Sequence, residues 1–291
     1  MRRLDGVLLL DKPVGPSSST ILQAVKKLFG ANKAGHAGTL DPLASGLLPL
    51  LFGEATKFAQ FGLDAAKEYR ARIRLGVTTD TGDAEGKVLE ERPVTVDDAA
   101  LASGLARFRG AIEQVPPMHS ALKRDGQPLY ALAREGRSVA RAPRRIEIHE
   151  LELVERTQET VELRIRCSKG TYVRQLAADL GTVLGTGAHL AGLRRTAVGS
   201  MRVEDALSFD QLQQTDPQVL HAFLAPVDAM LGDLPRLDLE STQARQFLLG
   251  AAVALEGAPT GSCRVYAEGG LLGVGRLEGG RLQPLRSIAR G

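Results

Sequence analysis

The sequence predicts an α+β protein followed by a small C-terminal β-barrel. Three observations predict it. Strict two-residue alternation at 69–75 and 161–167 marks half-buried strands. Apolar residues at three- and four-residue spacing mark helices at 21–28, 101–108 and 173–184. After about residue 232 lysine disappears, glycine becomes frequent, and short strands alternate with turns.

Length and composition are compatible with that architecture. The chain has 291 residues, 43% of them hydrophobic and 24% charged, enough apolar material for a dry core. The longest apolar run, Phe247 to Leu255, is broken by Gly250 and is too short to span a membrane. The N-terminus lacks an apolar leader segment, and Cys167 and Cys263 lie far apart with no CxxC spacing. Both features point to the reducing cytoplasm and away from a disulfide scaffold. Net charge is only +3, yet 28 of the 37 basic residues are arginine, the side chain suited to phosphates. Tryptophan is absent, so any stacking platform must use Tyr, Phe or His.

Taken in order, Val7 to Leu10 read as a buried strand closed by a Lys-Pro/Gly-Pro turn. The hydroxyl cluster Ser17 to Thr20 caps a helix whose stripe is Ile21, Val25 and Leu28. Residues 32–49, dense in glycine and proline, read as a loop or a chain of turns. Along 69–75, Tyr69, Ala71, Ile73 and Leu75 face one way and Arg70, Arg72 and Arg74 the other. Gly76 to Gly86 is a turn-rich acidic loop. Thr95 caps a helix carrying Leu101, Leu105 and Phe108. Pro116-Pro117 then open an excursion over 118–143: a basic loop ALKRDGQ, a short helix around Leu129 to Glu135, and the basic run Arg137 to Arg145. Its length suggests a functional flap. Two strands follow, the first with a phase slip between Ile148 and Leu151 that indicates a bulge. SKGTYVR is a strand-to-helix corner, a firm mounting for polar residues. A domain boundary falls at Gly232-Asp233-Leu234-Pro235, dividing 1–232 from 233–291.

Asp41 stands out among the acids. Pro42 biases it toward extended angles inside the glycine-rich string GHAGTLDPLASG. An isolated Asp-Pro is ordinarily a turn starter. Within this string the carboxylate is equally compatible with covalent or general-base work. His36 precedes it by five residues and could stack or hydrogen-bond. The five histidines show no metal-ligand spacing, and no nucleotide-binding or nucleophile-elbow motif is present, so no cofactor is expected. Arg70, Arg72, Arg74 and Arg137 to Arg145 are candidate phosphate contacts whose affinity would fall with salt. Three classes remain open on these features: a cofactor-free enzyme, a non-catalytic RNA-folding module, and a carboxylate-based sugar hydrolase. The last usually needs a second positioned carboxylate and aromatic platforms.

The strings GHAGTLDPLASGLLP, KEYRARIRLG and CSKGTYVRQLAADLG occur in that order. With GVLLLDKP, ALKRDGQPLYALAREG and GAHLAGLRR they resemble the TruB family of tRNA pseudouridine synthases, over nearly the whole chain and more loosely toward the C-terminus. The resemblance implies a mixed, largely antiparallel sheet flanked by helices and a PUA-like C-terminal barrel. It implies isomerisation of uridine 55 in the T-arm loop of tRNA, with possible tRNA-folding activity beside it. Asp41 aligns with the catalytic aspartate, Tyr69 with the tyrosine that packs on the target base, and Arg174 with the arginine that pairs with the carboxylate. Tyr172 and Leu193 align with residues lining the uracil pocket, and His36 with the histidine that displaces T-loop bases. The 118–143 excursion corresponds to an RNA-gripping loop. A monomer acting on tRNA in the cytoplasm is expected, without cofactor, metal, membrane, guide RNA or obligate protein partner.

Overall fold

The computed structural model describes residues 3–120, 122–124, 126–137, 139–255 and 260–288. The chain opens with β1 (Gly6–Lys12) and α1 (Ser18–Leu28). Ser17 caps α1 by accepting from the Thr20 amide at 3.1 Å. The stretch 32–49 departs from expectation, because it holds β2 (Ala34–His36) and the start of β3 (Ala44–Phe52). Its glycine and proline are tolerated for local reasons. Gly46, at φ +101°, lets the β3 backbone pass so close to Arg195 that a Cβ there would stand 2.2 Å from the Arg195 carbonyl oxygen. Pro49 uses only its carbonyl, which accepts from the Ala37 amide at 3.1 Å. Leu47, Leu48, Leu50, Leu51 and Phe52 are completely inaccessible. At about 1.5–3 kcal/mol per buried side chain, β3 anchors the sheet despite its composition.

Next come α2 (Ala59–Asp64), β4 (Lys67–Leu75) and a short hairpin, Val77–Thr79 with Val88–Glu91. The cap of α3 (Asp98–Ala106) is Asp97 and not Thr95: its carboxylate accepts from the Ala100 amide at 2.7 Å. β5 (Gly110–Gln114) leads into the 118–143 excursion, which contains a two-residue hairpin and α4 (Leu129–Arg134). Ala121 and Asp125 of its basic loop, and Ser138 in the following basic run, lie outside the described residues. The chain continues with β6 (Arg144–Arg156), β7 (Thr160–Cys167), α5 (Val173–Val183), β8 (Ala188–Val198), β9 (Met201–Arg202), β10 (Leu207–Ser208) and α6 (Phe209–Gln214). The expected bulge is present: β6 and β7 lose register between Ile148 and Glu150.

Ten strands form one sheet in the order β10-β1-β3-β8-β4-β7-β6-β5, with β2 added to β3 and β9 to β8. It is mixed and largely antiparallel; β1–β10 and β3–β8 are its parallel pairs. The face bearing Tyr69, Ala71 and Ile73 packs with α1, α3 and α5 into a single core. A smaller five-stranded sheet follows, built from β11 (Arg236–Asp238), β12 (Val253–Ala254), β13 (Gly261–Ala267), β14 (Gly270–Glu278) and β15 (Arg281–Ser287), with α7 (Ser241–Leu248) against it. It has its own apolar cluster around Phe247 and Leu272. It also shares one with the larger unit, in which Phe58 and Leu231 meet Val274. Lys57 donates to the Ser287 carbonyl at 3.0 Å across the same contact, and the Tyr266 hydroxyl bonds Asp228. Among the described residues no helix is long and apolar enough to cross a membrane.

Candidate active site

β3 has different neighbours at its two ends. β8 pairs with Ala44 to Gly46, and β2 pairs with Leu50 to Phe52. The loop 37–43, which carries Asp41, emerges beside the gap between them. Its main chain is fastened almost residue by residue. The Arg195 guanidinium donates to the Gly38 and Thr39 carbonyls at 3.0 and 3.4 Å. The buried Ser18 hydroxyl, in the first turn of α1, accepts from the Leu40 amide and donates to the Leu40 carbonyl at 2.8 and 2.9 Å. The Asp41 carbonyl accepts from Ala44 at 3.0 Å, and that of Pro42 from Gly15 at 2.9 Å. Gly38, at φ +116°, supplies the conformation a side chain would resist. Few degrees of freedom are left to the Asp41 backbone.

Arg174, at the start of α5, donates from Nη2 to Asp41 Oδ2 at 2.5 Å. Its side chain is 9% exposed, whereas that of Asp41 is 49% exposed. A buried cation therefore presents a carboxylate to solvent space. Burying a guanidinium is costly unless its charge and donors are matched. The charge is matched by Asp83, which no pattern in the amino-acid sequence marks. Asp83 Oδ2 lies 3.2 Å from Arg174 Nη1 and its side chain is 5% exposed. Its other oxygen accepts from the Thr81 hydroxyl at 2.6 Å and the Glu85 amide at 3.2 Å. The His119 carbonyl accepts from Arg174 Nη2 at 3.1 Å. One guanidinium thus links two carboxylates, one accessible and one sealed.

The remaining expected residues surround this pair. Tyr69, on β4, is buried, and burial pushes its phenol up while the Arg195 guanidinium beside it works the other way. Tyr172, at the N-terminal end of α5, is also pushed up by burial and senses the charges of Asp41 and Arg174. The Tyr172 main chain is gripped by the buried Gln114 amide, which accepts from its N–H at 2.9 Å and donates to its carbonyl at 3.1 Å. Because Gln114 ends β5, the root of the 118–143 excursion is tied to the corner that carries Arg174. His36 lies on β2; burial, then the charge of Arg195, lowers its pKa, and among the described residues its buried Nδ1 has no hydrogen-bond partner. Leu193, on β8, is partly buried against the main core, in register with Ala44 and Ala71. Lys12, fully buried, donates to the Pro13 and Pro16 carbonyls, both at 2.8 Å. Burial pushes it down to about 8, against the opposing pull of Asp41.

Arg70 and Arg74 follow the alternation of β4. They lie on the opposite face of β4 from Tyr69 and pair with Glu162 and Glu159 at 2.6 and 2.7 Å. Asp83, Gln114 and Arg195 escape sequence reading, although Arg195 leaves a trace. Consecutive arginines in a strand must face opposite sides, so one of Arg194 and Arg195 points inward. Among the described residues no group of three or more His, Cys, Asp or Glu could hold a metal ion.

Three family models match in series. Residues 26–173 match "TruB family pseudouridylate synthase (N terminal domain)" and 174–232 match "tRNA pseudouridylate synthase B C-terminal domain". Residues 235–288 match "Pseudouridine synthase II TruB, C-terminal". A protein of Azoarcus sp. (strain BH72) named tRNA pseudouridine synthase B is 50% identical over 288 residues, covering 99% of this chain and 96% of its own. One of the same name from Burkholderia mallei (strain NCTC 10247) is 53% identical over 298 residues, covering 100% and 99%. A chain of a Cbf5-Nop10-Gar1 complex superposes with a TM-score of 0.72 at 26% identity, over 93% of this chain and 78% of its own. The sheet and these three sets of matches agree, and the chain belongs to the TruB family of pseudouridine synthases.

Proposed function

We propose that the protein isomerises uridine 55 in the T-arm loop of tRNA to pseudouridine, with Asp41 as the group that works at the sugar–base junction. The observation that carries this reading is the half-exposed Asp41 carboxylate held at 2.5 Å by a buried arginine. The reaction breaks the N1–C1′ bond, turns the uracil and joins C5 to C1′. The C5 proton leaves and N1 gains one, so the sum is an isomerisation with no redox change and no group donor. A fixed carboxylate can attack C1′, add to C6, or take the C2′ proton, and each use belongs to covalent or acid–base catalysis.

The target base must leave its stack, at a cost of a few kcal/mol. Packing on Tyr69 offsets part of that, at about 1–3 kcal/mol per stacked base. Tyr172 and Leu193 would line the uracil pocket, and His36 would fill space among displaced T-loop bases. Its lowered pKa keeps it neutral at pH 7, which suits stacking. The excursion at 118–143 would grip RNA, and its root already touches Arg174 through His119. We assign residues 1–232 to catalysis and 233–291 to a PUA-like RNA-binding domain; the family models change between 232 and 235, in support. The protein would act as a monomer in the cytoplasm, without guide RNA, and would also help tRNA fold.

The test is tritium release from 5-tritiated uridine in an unmodified T-arm transcript. Wild type releases tritium and retains the base as a C-nucleoside. Asp41→Asn releases none, yet binds the transcript within about three-fold of wild type, because the loop anchors do not involve its side chain. Free uracil as the product, or turnover by Asp41→Asn, would overturn the reading.

A further inference from the structure

We infer that Arg195 is a positioning residue for the reaction proposed above: its buried guanidinium closes the gap between β2 and β8, holds the main chain leading to Asp41, and stands beside Tyr69. The inference rests on that reading of the reaction.

β3 loses β8 after Gly46 and gains β2 only at Leu50, while the Ala37 amide takes the Pro49 carbonyl. The Leu47 carbonyl falls between them. A buried carbonyl left unpaired in a sheet is costly. Arg195 Nε donates to it at 2.7 Å. The two terminal nitrogens then reach past the strand to Gly38 and Thr39. Three donors in one rigid plane therefore fix β3 and the loop relative to each other. A lysine has no such fork.

The charge matters as well. Arg195 is 1% exposed and, among the described residues, pairs with no carboxylate. Filling a structural gap does not require a buried cation, since a well-packed apolar group of similar volume is commonly as stable or more so. Here the cation faces the groups around the reaction site. Its charge is felt by Lys12, His36, Lys67 and Tyr69, and in each case it favours the deprotonated form. Arg174 holds the Asp41 carboxylate, and Arg195 holds the main chain just before it, at Gly38 and Thr39. Neither role substitutes for the other, because the first orients the carboxylate and the second its loop.

The experiment compares wild type, Arg195→Met and Arg195→Lys as full chains. It measures the single-turnover rate of tritium release, affinity for the same transcript, and thermal unfolding. An inactive wild type would count against the proposed reaction and not against this inference. With wild type active, Arg195→Met is expected to lose at least about 100-fold in rate, the scale of a misplaced catalytic group. Its affinity should stay within about three-fold, a split that uniform damage to RNA binding would not produce. Arg195→Lys should recover about ten-fold of the lost rate, because it keeps the charge but not the fork. The inference is overturned if Arg195→Met turns over like wild type, if rate and affinity fall in the same proportion, or if Arg195→Lys is no faster than Arg195→Met. Should Arg195→Met not fold, Arg195→Lys decides alone. A slowed rate at unchanged affinity supports the inference, and an unchanged rate refutes it.

Discussion

The two faces of β4 use arginine in opposite ways. On the outer face Arg70 and Arg74 pair with Glu162 and Glu159, half in solvent, and Arg164 on neighbouring β7 meets Glu68, Glu150 and Glu152. Such pairs contribute little individually, since water and salt screen them and long side chains lose freedom in forming them. On the inner side of the sheet stand two arginines almost devoid of water, Arg174 and Arg195. The terminal nitrogens of each meet a specific set of oxygens, and each fixes one part of the Asp41 loop. An arginine-rich composition says nothing about which of these uses prevails. Burial decides it.

Arg195 apart, the difference is broken most severely at Asp83. Asp83→Asn keeps the shape but removes the charge that compensates buried Arg174. Breaking one partner of a buried pair costs about 3–5 kcal/mol. If only half of that reaches the transition state, single-turnover tritium release falls about 10- to 70-fold. Arg174→Lys should be comparably slow, because one ammonium cannot bridge both carboxylates. Near-native rates in both would dissolve the contrast between the faces. An intermediate effect is expected from pH. Lys12 is protonated below about 8 and loses its charge as the pH rises through that value. Its hydrogen bonds to the Pro13 and Pro16 carbonyls then weaken beside the Asp41 loop, so the rate should decline on the alkaline side of about 8. Lys67 is lowered into the same window, but it faces the Leu63 and Ala65 carbonyls. A profile measured on Lys67→Met should therefore keep the alkaline limb, and one measured on Lys12→Met should lack it. The smallest effect belongs to the outer face. Arg70→Ala should lower the unfolding midpoint by no more than a few degrees, as expected for an exposed pair worth less than about 1 kcal/mol. Its tritium release should match wild type.

The sequence made the strands of alternating pattern, the β6 bulge and the Asp41–Arg174 pairing readable for a common reason. Each rests on local pattern or on a string long enough to be matched. β3 was hidden because its glycine and proline are explained only by neighbours far away in the chain, Arg195 and Ala37. Asp83 was hidden because it looks no different from Asp80 in the same acidic loop. It becomes special through burial, with its backbone bridged to Leu190 and its carboxylate under α5. Gln114 carries no signal beyond its place before Val115-Pro116-Pro117; its grip on Tyr172 spans 58 residues. Period and propensity speak for neighbours along the chain, and these contacts are between strangers.

The apolar cluster shared by the two sheets has a practical consequence. Severing the chain after Gly232 would strip Val274, Leu271 and Ile288 from Phe58 and Leu231, baring aromatic and aliphatic surface on the remaining fragment. Lys57 would lose its carbonyl at Ser287 and Asp228 its phenol at Tyr266. The seam suggested by the amino-acid text is sealed in the folded molecule, and a fragment truncated there would be prone to self-association.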